Sequence, residues 1–593
     1  MIAPMTKYSF ILLKGEQNGL LEKLQHLGLV DITRTAKPVD DTSERLSREV
    51  EQADALIRSL RNTEIPEGTE AAEVKGKLSE AAEKLLRNYG EASDDIVRLR
   101  KEADALRIWG RFQPETLRKL NEAGVPVHFH KLSAKQFRES WAEEYALSVI
   151  AREKGSVCFV VAGEDGLPGE IPAPSGDIAA LEHRLQQEEQ HCRHLLRQLA
   201  GAKERIGEIE TLRAQLYARL DLYLAEQAAV PAAEDSIVTL VGYSTAENEA
   251  AVTEALDRAG VFYFKTPAEA KDNPPIALKN NWFVRQFEVL TDMYGRPAYD
   301  GFDPTPFISV FFLLFFAFCM GDCGYGIILI LAGLLLRKVQ SFKDMAPLVT
   351  ILGIGTAVIG FLFHTFFSMD ISSWEIFRPV RGIFLPGKIG GYDGTMVLSI
   401  LVGILHLALA MCVKTYEETR HKGFLNSLGT WGWTLLLVGG TLVGALSLAG
   451  VLDRSITQWI IIVLGIASAL GIFVFNDMKR NKLANVGAGL WDTYNTFSGL
   501  LGDVLSYLRL YALGLAGSML GLAFNSIGQM ILGDGSKVLL WIPFVLIVVI
   551  GHTLNIAMAA LGAFVHPLRL NFLEFFKNSG YEARGRNFHP LSK

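Results

Sequence analysis

The chain has 593 residues, of which 21% are charged, and its formal net charge is −6 at pH 7. This small negative charge, with no basic tract, excludes a nucleic-acid partner. The five cysteines are scattered, which excludes a disulfide framework and is typical of a reducing cytoplasm and a membrane. Charged residues crowd the first half of the chain, whereas long apolar runs make up the second. The N-terminus has no basic flank followed by an apolar core, so we expect no cleavable signal.

Three segments of the charged half share a strand–helix–strand order with short connections. Alternation of apolar and polar residues predicts the strands, and apolar residues at helical spacing predict the helices. Such units imply small α/β lobes, plausibly ferredoxin-like. The predicted elements are Tyr8–Leu13, Gln17–Leu27 and Leu29–Thr33 in the first segment, Ile108–Phe112, Pro114–Ala123 and Val125–His130 in the second, and Ile237–Tyr243, Ala246–Ala259 and Val261–Phe264 in the third.

Two long helical stretches flank the middle segment. Their apolar residues recur every three or four positions, which is the spacing of coiled coils. Two arms of comparable length predict an antiparallel coiled-coil hairpin that holds one lobe far from the other. The predicted domains are a proximal lobe (1–42 and 230–300), the coiled-coil arms (43–107 and 176–228), a distal lobe (108–175) and a membrane domain (301–593).

The second half of the chain contains eight apolar segments. The sequence therefore predicts an α+β soluble half followed by an all-α membrane domain of eight helices. The last two segments are too long for a perpendicular crossing, so we expect them to tilt steeply or to extend beyond the bilayer. The segments are approximately 305–320, 324–338, 345–366, 396–413, 430–450, 456–476, 489–525 and 538–576.

Basic residues follow every even-numbered segment. Basic loops stay preferentially in the cytoplasm, so this pattern predicts that these ends, and both termini, are cytoplasmic. The residues are Arg337 and Lys338 after the second segment, Lys414, Arg420 and Lys422 after the fourth, Lys479, Arg480 and Lys482 after the sixth, and Lys577, Arg584, Arg586 and Lys593 after the eighth.

Arg509 lies near the middle of the seventh apolar segment. A charge at that depth costs roughly 2.5 to 3.5 kcal/mol on insertion scales, so it requires a partner or a water-filled surface. At helical spacing its face carries mainly small residues, among them Gly502 and Ser506. An arginine that snorkels to a headgroup is the alternative. In the eighth segment, His566 and Arg569 share a face, and Pro567 predicts a local kink.

Several stretches now identify a resemblance. Ser506–Leu513 (SYLRLYAL) resembles the arginine helix of the membrane stator subunit of V/A-type rotary ATPases, called a in eukaryotes and I in bacteria and archaea. Asp303–Phe307 (DPTPF) and Met320–Gly326 (MGDCGYG) are similar to the first hairpin of that family. Gly562–Leu570 (GAFVHPLRL), followed by Glu574–Phe576 (EFF), is similar to its last helix, which carries a second arginine.

The resemblance implies a stator against which a ring of proteolipid subunits, each with a lipid-facing carboxylate, rotates. Two offset half-channels would bring ions to the ring, and Arg509 and Arg569 would act in ion translocation. The other implied partners are peripheral-stalk subunits of E and G type, a central-stalk adaptor subunit and the lipid bilayer, at the cell membrane. The polar residues expected to support translocation are Ser506, Asn555, His566 and Glu574.

The expected chemistry is transport rather than catalysis. No phosphate-cradling loop of the Walker type is present, so ATP hydrolysis or synthesis is expected in other subunits, and no cofactor is expected. His183, His191, Cys192 and His194 lie on a helix rich in Gln, Glu and Arg, with no paired ligand set, so we expect no metal site there. The sequence does not choose between H⁺ and Na⁺.

Three alternatives remain open at this point. A secondary transporter would have its own midplane site, but such folds usually have two related halves, and no repeat relates the first four segments to the last four. A membrane-anchored coiled-coil scaffold would explain the arms but not the arginines. Asp322 invites an intramembrane aspartyl protease, yet Cys319 replaces the first glycine of that signature and no second aspartate completes a dyad. We expect Asp322 to form a structural turn.

Overall fold

The computed structural model divides the chain into two units. The residues described are 1–34, 40–66, 68–110, 112, 114–153, 155–163, 166–173, 177–232, 236–339, 342–389, 391–448, 453–475, 482–533 and 538–592. Lys479, Arg480 and Lys593, which contribute to the charge pattern, lie outside them. The first unit consists of Met1–Phe10, Leu29–Asp31 and Val241–Pro590, and the second of Ile11–Gly28, Ile32–Leu240 and Leu591–Lys593.

Strands occur mainly in the first half of the chain, and helices make up most of the second. The strands are β1 (Met5–Leu13), β2 (Asp31–Ile32), β3 (Val127–Ser133), β4 (Leu147–Glu153), β5 (Ser156–Ala162), β6 (Glu170–Ile171), β7 (Val230–Ala232), β8 (Ile237–Thr245), β9 (Tyr263–Pro267), β10 (Thr365–Phe366), β11 (Met369–Asp370), β12 (Lys388–Ile389) and β13 (Tyr392–Asp393). The first helices are α1 (Gln17–Leu27), α2 (Asp41–Asn62), α3 (Leu78–Arg107), α4 (Pro114–Glu122), α5 (Trp141–Glu144), α6 (Ile178–Glu204), α7 (Ile206–Gln227), α8 (Glu249–Ala259), α9 (Trp282–Arg285) and α10 (Glu288–Tyr294).

The later helices are mostly apolar. They are α11 (Thr305–Met320), α12 (Cys323–Leu336), α13 (Ala346–Leu362), α14 (Gly394–Lys422), α15 (Leu428–Thr434), α16 (Gly440–Leu448), α17 (Arg454–Ala469), α18 (Lys482–Ser506), α19 (Leu508–Leu532), α20 (Trp541–Arg569) and α21 (Phe576–Ser579). Three π-helical segments, Leu435–Gly439, Leu470–Val474 and Leu570–Phe575, follow α15, α17 and α20 without a break.

The second unit contains two antiparallel helix pairs. In the first pair α2 lies along α7, with Asp54 Oδ1 3.1 Å from Arg213 Nη1. In the second α3 lies along α6, with Arg100 Nη2 2.7 Å from Glu189 Oε1. The predicted apolar positions of α2 are the buried ones, because the helical repeat turns them to one face. Those buried positions are Leu46, Val50, Ala53, Ile57 and Leu60.

The sheet between α3 and α6 corrects one prediction. Its four strands are antiparallel, in the order β4-β5-β3-β6. The predicted strand Ile108–Phe112 is wrong, because its described residues form the turn that ends α3. Trp109 is buried there, with its ring 5.3 Å from that of Phe129. The apolar residues of this stretch are thus explained by burial against the sheet and not by a strand. The second segment therefore lacks the first strand of its predicted strand–helix–strand unit.

In the first unit, parts of four strands form a sheet in the order β2-β8-β1-β9. β1 pairs with β9 in antiparallel register from Thr6 opposite Pro267 to Phe10 opposite Tyr263. The C-terminal tail returns to this lobe. Ile276 makes two backbone hydrogen bonds to the tail: its N–H donates to Arg586 O at 2.7 Å, and its carbonyl accepts from Phe588 N at 3.1 Å.

Five helices of the described residues are long and apolar enough to cross a membrane. They are Gly394–Lys422, Phe424–Ser447, Ser455–Val474, Gly489–Leu532 and Val538–Ser579. Three shorter apolar helices, α11, α12 and α13, precede them. α12 and α13 pack closely through glycines, since a Cβ on Gly326 would lie 2.3 Å from Ala357 N, and one on Gly360 would lie 2.2 Å from Cys323 N.

The seventh apolar segment is interrupted. α18 ends at Ser506 and α19 begins at Leu508, so Tyr507 alone separates them. The Tyr507 side chain is fully buried. It fills a slot at Gly403 of α14, where an added Cβ would lie 2.3 Å from the Tyr507 ring. Tyr507 keeps helical backbone angles (φ −75°, ψ −19°), so the break is only local, and its side chain is inserted into the bundle two residues before Arg509.

Candidate functional site

α19 and α20 form an antiparallel pair that frames Arg509. Leu513, one turn after Arg509, packs against Gly562 of α20. Further along, Asn555 Nδ2 donates to Gly517 O at 2.8 Å. At the opposite end of the pair, the segment after α20 contacts α18, where Asn578 is hydrogen-bonded to Asp503. Arg509 therefore lies between two groups of polar contacts that join the same two stretches of chain.

Arg509 is half-buried at the start of α19. Its Nη1 is buried and makes no hydrogen bond to any residue that the structure describes. Cys319 and His566 are close enough to interact electrostatically with the guanidinium, but neither side chain is a carboxylate that could pair with it. On the neighbouring face, Ala512 and Ala516 are exposed. A cation held in apolar surroundings thus borders a smooth, uncovered surface.

One polar group, the Asp503 cluster, lies on the α18 side of Arg509 and consists of Asp503, Ser506, Glu574, Lys577 and Asn578. Asn578 Nδ2 donates to Asp503 Oδ2 at 2.8 Å, and Lys577 Nζ lies 3.4 Å from the same carboxylate. Glu574 is buried and interacts with Ser506. The predicted residues Ser506 and Glu574 are therefore brought together. Oε2 of Glu574 is buried and has no hydrogen-bond partner in the described part of the chain.

The other polar group, the Asp322 cluster, consists of Asp322, Tyr325, Asn525, His552 and Asn555. Tyr325 Oη lies 2.7 Å from His552 Nδ1 and accepts from Asn555 Nδ2 at 2.8 Å. His552 Nε2 lies 2.9 Å from Asn525 Oδ1. Of these residues only Asn555 is among the predicted site residues. Tyr325 and His552 contact each other across 227 positions of sequence, which no local pattern reveals.

Asp322 has the structural role expected for it. It is buried and caps α12, because its Oδ1 accepts from the N–H groups of Gly324 and Tyr325 at 2.8 and 3.1 Å. The same carboxylate accepts from Phe367 N at 3.0 Å and Ser368 N at 2.6 Å. Oδ1 thus accepts three backbone hydrogen bonds and Oδ2 accepts one. They also fix the loop in which Phe367 and Ser368 adopt positive φ angles of 47° and 59°.

The two polar clusters are well separated. At about 1.5 Å per residue, Ser506 and Gly517 lie roughly 16 Å apart along the helix axis. Arg509 falls in this interval, near the Asp503 cluster. The exposed residues of α19 between the clusters, Ala512, Leu515 and Ala516, are small or apolar, and Arg509 and the half-buried Tyr511 are the polar side chains of this stretch.

Arg569 and His566 lie at the end of α20. Arg569 is exposed, whereas His566 is half-buried and its Nδ1 lacks a hydrogen-bond partner among the described residues. His566 is within electrostatic range of both arginines. α20 continues through Pro567 and changes to a π-helix at Leu570. Pro567 supplies no N–H, and π-segments often mark functional positions.

Comparison with known proteins now identifies the chain. The profile of the V-type ATPase 116kDa subunit family matches residues 171–374 and 499–593, about half of the chain. The chain is 26% identical over 635 residues to V-type ATP synthase subunit I 1 of Treponema pallidum, with 100% of both chains covered. It is 31% identical to A-type ATP synthase subunit I of Methanocaldococcus jannaschii over 55% of this chain and 50% of that one.

A solved structure, the cytoplasmic N-terminal domain of subunit I, a homolog of subunit a of V-ATPase, covers 45% of this chain and 100% of its own length. The sequence identity is 15% and the TM-score is 0.20, so this similarity carries no argument about the fold of the chain. The architecture is that of a membrane subunit with an N-terminal α/β region and a helical C-terminal region. The chain belongs to the V-type ATPase 116kDa subunit family. It is thus an accessory membrane subunit of a rotary ATPase and assembles with other subunits of that complex.

Proposed function

We propose that the chain is the stator subunit that supplies both ion half-channels and the essential arginine against which the proteolipid ring rotates. The observation that carries this proposal is the unpaired, half-buried guanidinium of Arg509, placed beside an uncovered face and between two separated polar clusters. A ring carboxylate that passes this face would be the missing counter-ion. Arg509 would favour the ionised form of this carboxylate and so drive the ion bound to it into the exit channel.

The two polar clusters support a pair of offset half-channels. The Asp503 cluster would open to the cytoplasm, because it lies next to Lys577 and the end of the membrane region. The Asp322 cluster would open to the other side. Between them Arg509 would block a direct leak, since a cation repels a second cation from the same narrow path. Each charge that leaked across 100 mV would waste about 2.3 kcal/mol.

The exposed positions of α19 and α20 support their role as the ring-facing pair. Met519 and Met530 of α19 are 60% and 81% exposed, and Met558 and Leu561 of α20 are 67% and 68% exposed. Apolar residues that stay uncovered in this region are covered by lipid or by another subunit. A smooth apolar surface suits a partner that slides past it. Arg569, exposed at the end of α20, would face the same ring.

We extend the proposal to topology and to the arm. Eight membrane helices would comprise the five long candidates together with α11, α12 and α13, with the N-terminal half and the C-terminus in the cytoplasm of a plasma-membrane complex. The antiparallel pairs α2–α7 and α3–α6 would form a coiled-coil arm. The sheet of β3–β6 at its end would dock on peripheral-stalk subunits, and the proximal lobe on the central-stalk adaptor.

The decisive experiment replaces Arg509 in the complete complex. Arg509→Ala should abolish ATP-driven ion transport without preventing assembly, because it removes the charge but leaves a small-residue helix face. Arg509→Lys should also fail, since lysine lacks the delocalised fork and loses its proton readily in apolar surroundings. Arg569→Ala should be less severe, because His566 is nearby. Arg337→Ala, at the exposed end of α12, is the matched control and should transport normally.

The same preparation separates the rival functions. A secondary transporter would transport ions in vesicles without ATPase subunits, and a scaffold would bind its partners but tolerate Arg509→Ala. Co-isolation with ATPase subunits and a proteolipid ring, combined with an Arg509→Ala variant that does not transport ions, would support the stator function. Assembled Arg509→Ala complexes that still pump at a substantial rate would refute the proposal.

A second experiment addresses the arm. Deleting residues 114–173 and joining the two helix pairs with a short linker should leave membrane insertion intact but uncouple ATP hydrolysis from transport. The stalk would then lose its attachment. A deleted chain that still forms a coupled complex would exclude docking through this sheet, while leaving the arginine mechanism standing.

A further inference from the structure

A polar cavity lies at the end of α14, away from the arginine site. It measures about 360 Å³, and its walls come from the last turns of α14, the loop before α11 and the tail after α21. The loop and the tail are joined there, because Tyr581 Oη donates to Gly295 O at 2.6 Å. The residues that line this cavity belong to neither of the two polar clusters described above.

The cavity begins where the apolar part of α14 ends. α14 is long and apolar enough to cross a membrane. Its residues 396–413 include no Asp, Glu, Lys or Arg, and Lys414 is the first charged residue after them. A lysine directly after such an apolar run lies at the level of the lipid headgroups. From Lys414 the cavity wall follows α14 to Lys422, about 12 Å along the helix axis, so the headgroup layer borders its first turn.

Several charged groups of the cavity wall already have partners. Glu418 lies 3.3 Å from Lys422 Nζ and also accepts from the Thr430 hydroxyl. Glu582 lies 3.3 Å from Arg584 Nε. These carboxylates are neutralised by the protein itself, so they form part of the wall and need no ligand.

Lys414 and Glu417, one turn apart on α14, are not neutralised in this way. The Lys414 ammonium makes no ion pair or hydrogen bond with any residue that the structure describes. The Glu417 side chain is only 14% exposed, with His421 Nε2 3.3 Å from its Oε2. This Oε2 is buried and receives no hydrogen bond within the described part of the chain. A cation and an anion that do not pair with each other thus line the same cavity.

We propose that this cavity binds the headgroup of phosphatidylethanolamine from the adjacent leaflet, with the phosphate on Lys414 and the ammonium on Glu417. A primary ammonium has three N–H donors and can supply the hydrogen bond that Glu417 Oε2 lacks. One helical turn, about 5.4 Å, is comparable with the span of a phosphate and an ammonium joined by two carbons. Asp300 also lines the cavity and provides a second acceptor. The site goes beyond ion translocation and does not involve Arg509.

Other phospholipid headgroups fit this cavity less well. Choline has three methyl groups on its nitrogen and no N–H to donate, so Glu417 Oε2 would stay buried without a partner. A headgroup that is only anionic would bring its charge towards Glu417 and Asp300, which repel it. The bound ethanolamine lipid would join α14 to the loop before α11 and to the tail after α21. We therefore expect it to stabilise the protein, since it binds the folded state.

The first test measures which phospholipid the complete complex retains. The complex is purified from liposomes that contain equal amounts of phosphatidylethanolamine and phosphatidylcholine, and its bound lipids are counted by mass spectrometry. The wild type should retain an excess of phosphatidylethanolamine. Lys414→Gln and Glu417→Gln should each weaken this binding about tenfold, the effect of losing one charge-assisted hydrogen bond. Arg420→Gln is the control, because Arg420 is exposed at the same end of α14 but does not line the cavity.

A second test uses the wild-type complex alone, so it does not depend on how the variants fold. Phosphatidylethanolamine added to the delipidated complex should raise its melting temperature, whereas phosphatidylcholine should not. An equal rise with both lipids, or wild-type retention by Lys414→Gln and Glu417→Gln, would overturn the proposal. An equal rise with soluble glycerophosphoethanolamine or with putrescine would exclude a lipid as the ligand. Transport by Arg509→Ala tests the stator function separately and leaves the lipid site unaffected.

Discussion

The Tyr507 hydroxyl lies 2.9 Å from Nδ1 of His406, and both side chains are fully enclosed in the helix bundle. His406 belongs to α14, and its ring stacks on that of Phe575 at 4.8 Å and lies 4.2 Å from the tilted ring of Phe311. This contact joins α14 to the boundary between α18 and α19, two residues before Arg509.

The first prediction removes this hydrogen bond. Tyr507→Phe keeps the ring in the Gly403 slot but leaves Nδ1 of His406 buried without a partner. We expect a loss of about 1 to 3 kcal/mol in stability, the cost of an unsatisfied buried polar group. Transport should fall with it, because the start of α19 is less firmly held. Thermal unfolding of the purified complex and its pumping rate measure the two effects.

The control for Tyr507 is Tyr416→Phe. Tyr416 lies on the same helix as His406 but is 67% exposed, so loss of its hydroxyl should change neither quantity. Equal melting temperatures for Tyr507→Phe and the wild type would mean that the buried hydrogen bond contributes nothing to stability.

The second prediction concerns Asp322→Asn. The carboxylate accepts four backbone hydrogen bonds, and an asparagine would turn an N–H₂ group towards some of those donors. We expect a loss of about 1.5 to 3 kcal/mol, as for hydrogen bonds to a charged group. Asp393→Asn provides the comparison, because Asp393 caps α14 from an exposed position and asparagine caps helices equally well. Similar melting temperatures for the two variants would contradict the structural role of Asp322.

A third prediction tests the close packing of α12 on α13. Gly360→Leu places a side chain where Cys323 N would be 2.2 Å away, so the helices must separate. We expect the variant to assemble poorly and to give little complex in membranes. An added Cβ at Gly440, in α16, meets no atom within 4 Å, so Gly440→Leu should assemble at normal levels. Normal assembly of the Gly360 variant would mean that the two helices are not held at this distance.

The fourth prediction is the membrane topology. In a background without native cysteines, single cysteines at Ile376 and Val538 should react with an impermeant reagent only from outside the cell. A cysteine at Leu425 should react only from the cytoplasm. These residues are 81%, 82% and 60% exposed, so access rather than burial decides the result. Labelling of Val538 and Leu425 from the same side would contradict the proposed eight-helix arrangement. Gly535, three positions before Val538 in the sequence, lies outside the described residues.

Helix positions were largely predictable, because an apolar run of sufficient length has few alternatives to a helix. The prediction failed at Ile108–Phe112, where apolar residues cover a sheet from the end of a helix. Arg509 could be singled out as a costly charge in an apolar segment. The partners Tyr325, His552 and His406 could not, because their contacts depend on how distant helices pack.

The return of the C-terminal tail to Ile276 constrains the number of membrane crossings by parity alone. Residues just before α11 and just after α21 belong to one hydrogen-bonded lobe, with Ala298 N 3.1 Å from Glu582 O. A chain that starts and finishes on the same side of a bilayer must cross it an even number of times. If all five long helices cross the membrane, an odd number of the three shorter apolar helices must therefore cross with them.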